Sequence, residues 1–291
     1  MEVLMKGNRP SHSMIASSTL KDVPYANQSN AQKLDIYLPS GVNKPYPLII
    51  WLHPGGFFEG DKDEIDIKGM MRPILTRGYA LVSINYRLSG EAKFPALVYD
   101  IKAAVRWVRA NAAKYGFDPE KIAAWGASAG GMLAALLGTS GEVGDLEDLS
   151  MGNPNESSRV NAVVDWYGPT DFLQMDPQHE QLGQKPINNL ETSPESRIIG
   201  GAITNFPEKC RAISPLSYIK PDNPPFYIQH GKLDDIVPYQ QSVILAEALE
   251  VVMGQDKVKL ELIENAGHAD SIFFTKKNVN KILDFLDKCL K

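Results

Sequence analysis

Short apolar runs recur along this chain, and between them apolar residues return every three or four positions. Lys33 to Leu38, Pro47 to His53, Tyr79 to Tyr86, Ile122 to Trp125, Ala162 to Trp166, Pro225 to Gln229 and Val258 to Ile263 have the length and composition of buried strands. Ala96 to Tyr115 sets Val98, Ile101, Val105 and Val108 on one face, as in a helix packed on a sheet. Gly116 and then Asp118-Pro119 mark its stop and a turn. Gln241 to Met253 and Val279 to Leu290 are further amphipathic helices. Strands alternating with helices, with no internal repeat, predict an α/β fold with a mostly parallel sheet covered on both faces.

Three stretches depart from this rhythm. Residues 1–32 read as a polar arm rich in Ser and Asn, leaving 33–291 as a single domain. Phe172 to Pro224 (about 172–224) carries little strand signal and many Pro, Asn and Gln, so it is expected to be an insertion, a lid over the site. Ile122 to Gly141 has no charge over twenty residues, but five of them are glycine and the periodicity switches at Ser128. A buried strand–turn–helix explains that stretch better than a membrane span.

That switch is where chemistry enters. Gly126-Ala127-Ser128-Ala129-Gly130 lies between the strand Ile122 to Trp125 and the helix-prone Met132 to Leu137. A serine at the apex of so sharp a turn stands exposed above the sheet, and only small residues two positions away let the backbones close in. Ser128 is therefore read as a nucleophile.

A nucleophilic serine needs a base, and the base an orienting acid. After Ser128 the histidines are His179, His230 and His268. His268 follows the strand Val258 to Ile263, at the carboxyl end where an open α/β sheet assembles its site. His179 lies in the polar insertion, and His230 adjoins its own candidate acid. The acid is read from His230 to Pro238, where Asp234 and Asp235 compete, with Asp165 and Asp171 as second choice. One helix and one strand separate this turn from His268, as a return to the same sheet edge requires. Donors for a developing oxyanion are expected from the Gly-rich turn at Pro54-Gly55-Gly56 and from Ala129, next after the serine.

Composition adds mainly exclusions. A formal net charge of −5 over 291 residues gives no basic patch for nucleic acid and no polybasic membrane anchor. Cys210 and Cys289 form no C-x-x-C pair and read as two free thiols, with one disulfide as the alternative. Glu142, Asp145, Glu147 and Asp148 read as a solvated acidic loop rather than a Ca²⁺ site. The N-terminus lacks the pattern of a secretory signal, so a cytoplasmic location is the default expectation, with export left open. Oligomeric state is not predicted.

Taken together, the chain resembles an α/β-hydrolase carboxylesterase of the hormone-sensitive-lipase-like group, most similar to the bacterial branch that includes feruloyl and acetyl-xylan esterases. The matching pieces are His53-Pro54-Gly55-Gly56-Phe57 with Gly60-Asp61-Lys62, Asn85-Tyr86-Arg87-Leu88, Asp118-Pro119, Trp125 to Gly131, Tyr167 to Asp171, His230-Gly231 through Val237-Pro238, and Gly267-His268. The resemblance implies an α/β-hydrolase fold and a Ser-His-Asp triad in which the family pattern places the acid on Asp234. It also implies hydrolysis of short-chain, aryl or sugar esters through an acyl-enzyme, with no metal or organic cofactor and a small-molecule or carbohydrate-linked ester as partner. Two departures stand out. Pro54 replaces a glycine and has no N–H, which leaves Gly55, Gly56 and Ala129 as donors. Lys232 stands where the family often has a small or acidic residue. Phe57 and Phe58, with Phe172 at the start of the insertion, are the candidate substrate-pocket residues. A serine peptidase on the same fold and a non-catalytic binding protein are the alternative readings.

Overall fold

The computed structural model describes residues 16–67 and 69–291. Its centre is an eight-stranded sheet: β1 (Ala16–Pro24), β2 (Lys33–Pro39), β3 (Tyr46–Leu52), β4 (Ala80–Ile84), β5 (Phe117–Ala127), β6 (Ala162–Trp166), β7 (Phe226–Gly231) and β8 (Val258–Ile263). The spatial order is β1-β2-β4-β3-β5-β6-β7-β8. β1 pairs antiparallel with β2 and β2 with β4, and every later pairing is parallel. The helices are α1 (Glu64–Ile67), α2 (Met71–Thr76), α3 (Ala96–Ala110), α4 (Ala112–Tyr115), α5 (Ala129–Thr139), α6 (Phe172–Gln181), α7 (Pro194–Ile199), α8 (Pro207–Ile213), α9 (Gln240–Met253) and α10 (Lys276–Leu290).

The pleat divides the core between two faces. Leu48, Ile50 and Leu52 of β3 point into one cluster with residues of α3 and α5, while Ile49 and Trp51 point into another with α2 and α10. On that second face Trp51, Trp125 and Trp166 pack edge to face, with ring centroids 6.2, 6.4 and 4.9 Å apart. α5 is buried on every side, which accounts for the uncharged run from Ile122 to Gly141. No helix among the described residues is long and apolar enough to cross a membrane.

Several local readings change. Residues 16–24, taken above as part of a polar arm, form an edge strand. Its ladder with β2 holds it, with Leu20 and Val23 packed against the core and the Lys21 ammonium 2.7 Å from Asp35 and from Asp63. Residues 1–15 of the expected arm lie outside the described residues. The predicted turn at Asp118-Pro119 is drawn into β5, because Gly116, at φ 81°, already ends α4. Glu147 is not solvated: it pairs with the buried Lys102 at 3.2 Å and with Arg106. Residues 172–224, expected above to be an insertion, carry α6, α7, α8 and short turns. Cys210 and Cys289 are free thiols.

Candidate active site

β5 ends at Ala127 and α5 begins at Ala129, so Ser128 alone makes the turn, at φ 54° and ψ −123°. That conformation costs a non-glycine residue about 1–3 kcal/mol and persists because its surroundings enforce it. Ser128 N–H donates to the Trp166 carbonyl at 2.8 Å, and the Ser128 carbonyl accepts from Met132 N–H at 3.1 Å. A Cβ on Gly126 would strike the Gly130 carbonyl, and one on Gly130 would strike the Leu52 carbonyl at the end of β3. The two glycines of the motif are thus a steric condition for seating the helix on the strand ends.

The loop after β8 brings His268 to this serine, its Nε2 3.0 Å from Ser128 Oγ. On its other side His268 Nδ1 lies 2.7 Å from Asp234 Oδ2, on the loop after β7. The two loops are tied by backbone bonds from Lys232 N–H to the Ile263 carbonyl and from Leu233 N–H to the Ala266 carbonyl, both 2.9 Å. With Nδ1–H donating to the carboxylate, Nε2 is free to accept from the serine hydroxyl. Asp234 Oδ1 accepts from Ile236 and Val237 N–H at 2.9 and 2.8 Å. Burial alone would push this carboxyl up, but the hydrogen bonds from His230 and His268 outweigh it and hold Asp234 well below the usual carboxylate range.

The competing acids are placed elsewhere. Asp235 is exposed. Asp171 caps α6, accepting from Leu173 N–H at 3.1 Å. Asp165 is fully buried beneath the elbow, where it accepts from Gly168 N–H at 3.0 Å. Of the other histidines, His179 is buried against Gln184 at 2.8 Å. His230 Nε2 stands 3.1 Å from Asp234 Oδ2, with its Nδ1 2.7 Å from Ser242 Oγ, so it supports the acid. The sequence placed His230 at a strand end beside its own candidate acid, and this contact is the form that neighbourhood takes. Lys232 directs its ammonium to Glu264 at 2.8 Å, on the surface.

The turn after β3 holds Gly55, Gly56 and Phe57 at φ 121°, 55° and 64°. The Gly55 carbonyl accepts from both Phe58 and Glu59 N–H at 3.0 Å. No acceptor among the described residues takes the N–H of Gly55 or Gly56, and the first N–H of α5, on Ala129, has none within its helix. His53 braces this turn: its Nδ1 lies 2.7 Å from the Pro54 carbonyl and its ring stacks on Tyr86 at 4.3 Å.

Ser128, His268 and this turn open onto one cavity of about 350 Å³. Its walls include Phe57, Phe58, Tyr167, Ile236 and Val237, with Pro194 and Glu195 supplied by α7. Phe172, expected on the wall, stands behind Phe57 with ring centroids 6.0 Å apart. Glu195 and Tyr167 were not singled out as site residues from the sequence. Nothing in the local pattern of the insertion distinguishes Glu195 from its other polar residues.

The profile of the BD-FAE family matches residues 34–249, from β2 into α9 and through both the elbow and Asp234. The chain belongs to the BD-FAE family. Among curated relatives of this BD-FAE protein, esterase LipQ of Mycobacterium tuberculosis is 30% identical over 94% of this chain and 63% of its own length. Esterase LipC of the same organism is 31% identical over 82% of this chain and 57% of its own. The chain thus spans less than two thirds of either relative. Among solved structures, a truncated form of a carbohydrate esterase from gut microbiota superposes with a TM-score of 0.85 at 33% identity, covering 94% of this chain and 96% of that one. A bifunctional GH43-CE protein of Bacteroides eggerthii gives the same TM-score and identity over 95% of this chain but 36% of its own. Thermogutta terrifontis esterase 2 phosphorylated by paraoxon matches at 0.70 and 25% identity, over 93% of each chain.

Proposed function

We propose that this protein is a serine carboxylesterase acting on short-chain or carbohydrate-linked esters. Ser128 serves as nucleophile, His268 as general base and acid, and Asp234 as the orienting acid. The observation that carries this reading is the unbroken chain from Ser128 Oγ to His268 Nε2, 3.0 Å, and from His268 Nδ1 to Asp234 Oδ2, 2.7 Å. Ser128 Oγ attacks the ester carbonyl carbon while its proton passes to Nε2. The carbonyl oxygen becomes an anion received by the N–H groups of Gly55, Gly56 and Ala129. Collapse of this intermediate expels the alcohol, which takes the proton from Nε2. Water then attacks the acyl-enzyme, gives its proton to the same nitrogen, and the acid leaves as Ser128 Oγ–H is restored.

The esterase names of the relatives and the carbohydrate esterase among the structural neighbours support the reaction class. The mostly apolar wall with few polar groups suits a small acyl or sugar ester. A peptidase reading has no particular observation in its favour. The test is reaction with a fluorophosphonate probe followed by peptide mapping, alongside turnover of aryl acetate. The label should fall on Ser128, and Ser128→Ala should lose both labelling and, by about 10⁶-fold, turnover. Labelling elsewhere, or more than a few per cent of activity in a well-folded variant, overturns the assignment.

A further inference from the structure

The end of α6 reaches the candidate acid from outside its own loop. Gly183, at φ 69°, lies just past the helix; its N–H donates to the Glu180 carbonyl at 3.0 Å, and Gln184 N–H to the His179 carbonyl at 2.8 Å. This pair of bonds is a Schellman motif, which folds the chain back and sets the residue after the glycine against the last helical turn. The side-chain contact made there is commonly hydrophobic. Here it is polar, for Gln184 Oε1 lies 2.8 Å from Nδ1 of the fully buried His179.

The same amide has a second partner. Gln184 Nε2 donates to the Asp234 carbonyl at 2.9 Å. A carbonyl only accepts, so the amide nitrogen faces Asp234 and the amide oxygen faces His179. His179 therefore carries its proton on Nδ1, and its buried Nε2 has no partner among the described residues. Leaving that nitrogen bare costs stability that an apolar residue at 179 would not lose. The ring's bond to the amide thus needs a reason beyond closing the helix.

The reason lies at Asp234. Its other polar contacts among the described residues come from β7 and from the loops after β7 and β8, through His230, Gly231, Ile236, Val237 and His268. Gln184 is the contact that arrives from residues 172–224. The loop it holds is otherwise open, with Leu233, Asp235 and Ile236 exposed beside the acid. The helix behind Gln184 is itself fixed. Thr170 and Asp171 N–H donate to Gln241 Oε1 at 2.6 and 2.7 Å, and Gln241 Nε2 donates to Gln178 Oε1 at 2.7 Å. At its start Phe172 meets Phe57, ring centroids 6.0 Å apart. α6 therefore runs from the turn after β3 to the loop that carries Asp234, a rigid support for a group whose place must be kept to a fraction of an ångström.

Resting on the esterase reading, we propose that Gln184 is a positioning residue for the orienting acid, with His179 setting which end of its amide faces Asp234. Gln184 touches no reacting atom. It fixes the Asp234 backbone, and through the carboxylate the direction in which the His268 ring presents Nε2 to Ser128 Oγ.

Steady-state hydrolysis of aryl acetate tests this, with the melting temperature followed for every variant. Gln184→Met keeps the length of the side chain and removes both hydrogen bonds. It should lower kcat at least about fivefold and leave KM within about twofold, because small displacements within a catalytic constellation act on the chemical step. In an Asp234→Asn background the orienting carboxylate is already gone, and the same substitution should change kcat by less than about twofold. A merely structural role would carry the full loss into that background. His179→Asn retains a donor for the Gln184 amide oxygen and should keep most of kcat, whereas His179→Leu should resemble Gln184→Met. If Gln184→Met does not fold, the two His179 variants decide. Three results would each overturn the proposal: a kcat loss below about fivefold in folded Gln184→Met, a loss beyond about twofold that persists in the Asp234→Asn background, or equal kcat in the two His179 variants. In those cases wild-type turnover and labelling of Ser128 still uphold the esterase reading, and absence of both sinks that reading itself.

Discussion

At Asp234 four donors converge on two oxygens, while its neighbour Asp235 is exposed. Asp234→Asn would present an amide N–H₂ where His268 Nδ1–H now donates, favouring the wrong tautomer of the base. The cost reached about 10⁴ in kcat in a serine protease, and a loss of that order is expected here. Asp235→Asn, on an exposed side chain, should change kcat by no more than about twofold. Comparable mild effects of the two would overturn the orienting role proposed for Asp234. Asp165 behaves oppositely under titration. Its burial pushes the carboxyl up to about 7, so the folded protein keeps a proton that the unfolded chain releases near pH ~4. Stability therefore falls as pH rises from about 4 to 7 and stays lower above, by this group's contribution. Asp165→Asn keeps the acceptor for Gly168 N–H and removes the titration. Its gain in melting temperature over wild type should be larger at pH 8 than at pH 5, and a constant difference across that range would refute the assignment.

Among the elements, those that were legible in the sequence are those whose geometry is decided locally. The elbow could be read because two glycines, a serine and the switch from strand to helix periodicity lie within a dozen residues. The loops carrying the candidate acid and His268 could be read because strand ends mark where loops leave the sheet, while the choice of Asp234 over Asp235 came from the family resemblance. β1 could not: the ladder with β2, the core under Leu20 and Val23, and the acids that meet Lys21 are supplied by other parts of the chain. Nor could the role of Glu147, which looks like any other acid of its loop until α3 brings Lys102 and Arg106 against it. That buried ion pair ties the loop to α3, and burial pulls the Lys102 ammonium down against the attraction of Glu147. Glu147→Gln would leave two cations facing no anion, at an expected cost of about 3 kcal/mol in unfolding free energy. Chemical denaturation checks this; a change below about 1 kcal/mol would show the pair to be solvated after all. Glu195 was illegible for the same reason as Glu147, since its place on the cavity wall is set by the packing of α7 against the turn after β3.

At the scale of the whole molecule, a mostly parallel sheet gathers its functional loops at the carboxyl ends of β3, β5, β7 and β8, as this architecture does generally. The site they enclose is small. With Phe57 and Phe58 on its wall and no broad apolar face on the insertion, specificity constants should fall steeply from acetyl or butyryl to long-chain acyl esters. No jump in rate should accompany micelle formation, and preferential turnover of long-chain triglyceride emulsions would contradict this. The packing under the site has an optical consequence as well. Of the four tryptophans, Trp51, Trp125 and Trp166 touch one another edge to face, and only Trp107 lies apart, on α3. Indoles this close couple to one another, so the near-ultraviolet dichroism should carry a signal from the packing beneath Ser128. Because Trp166 also takes the Ser128 N–H on its carbonyl and packs its ring against Phe273 beyond His268, acylation of the serine should register there without any added dye. The protein would in this sense be its own fluorimeter, with the lamp set under the proposed nucleophile.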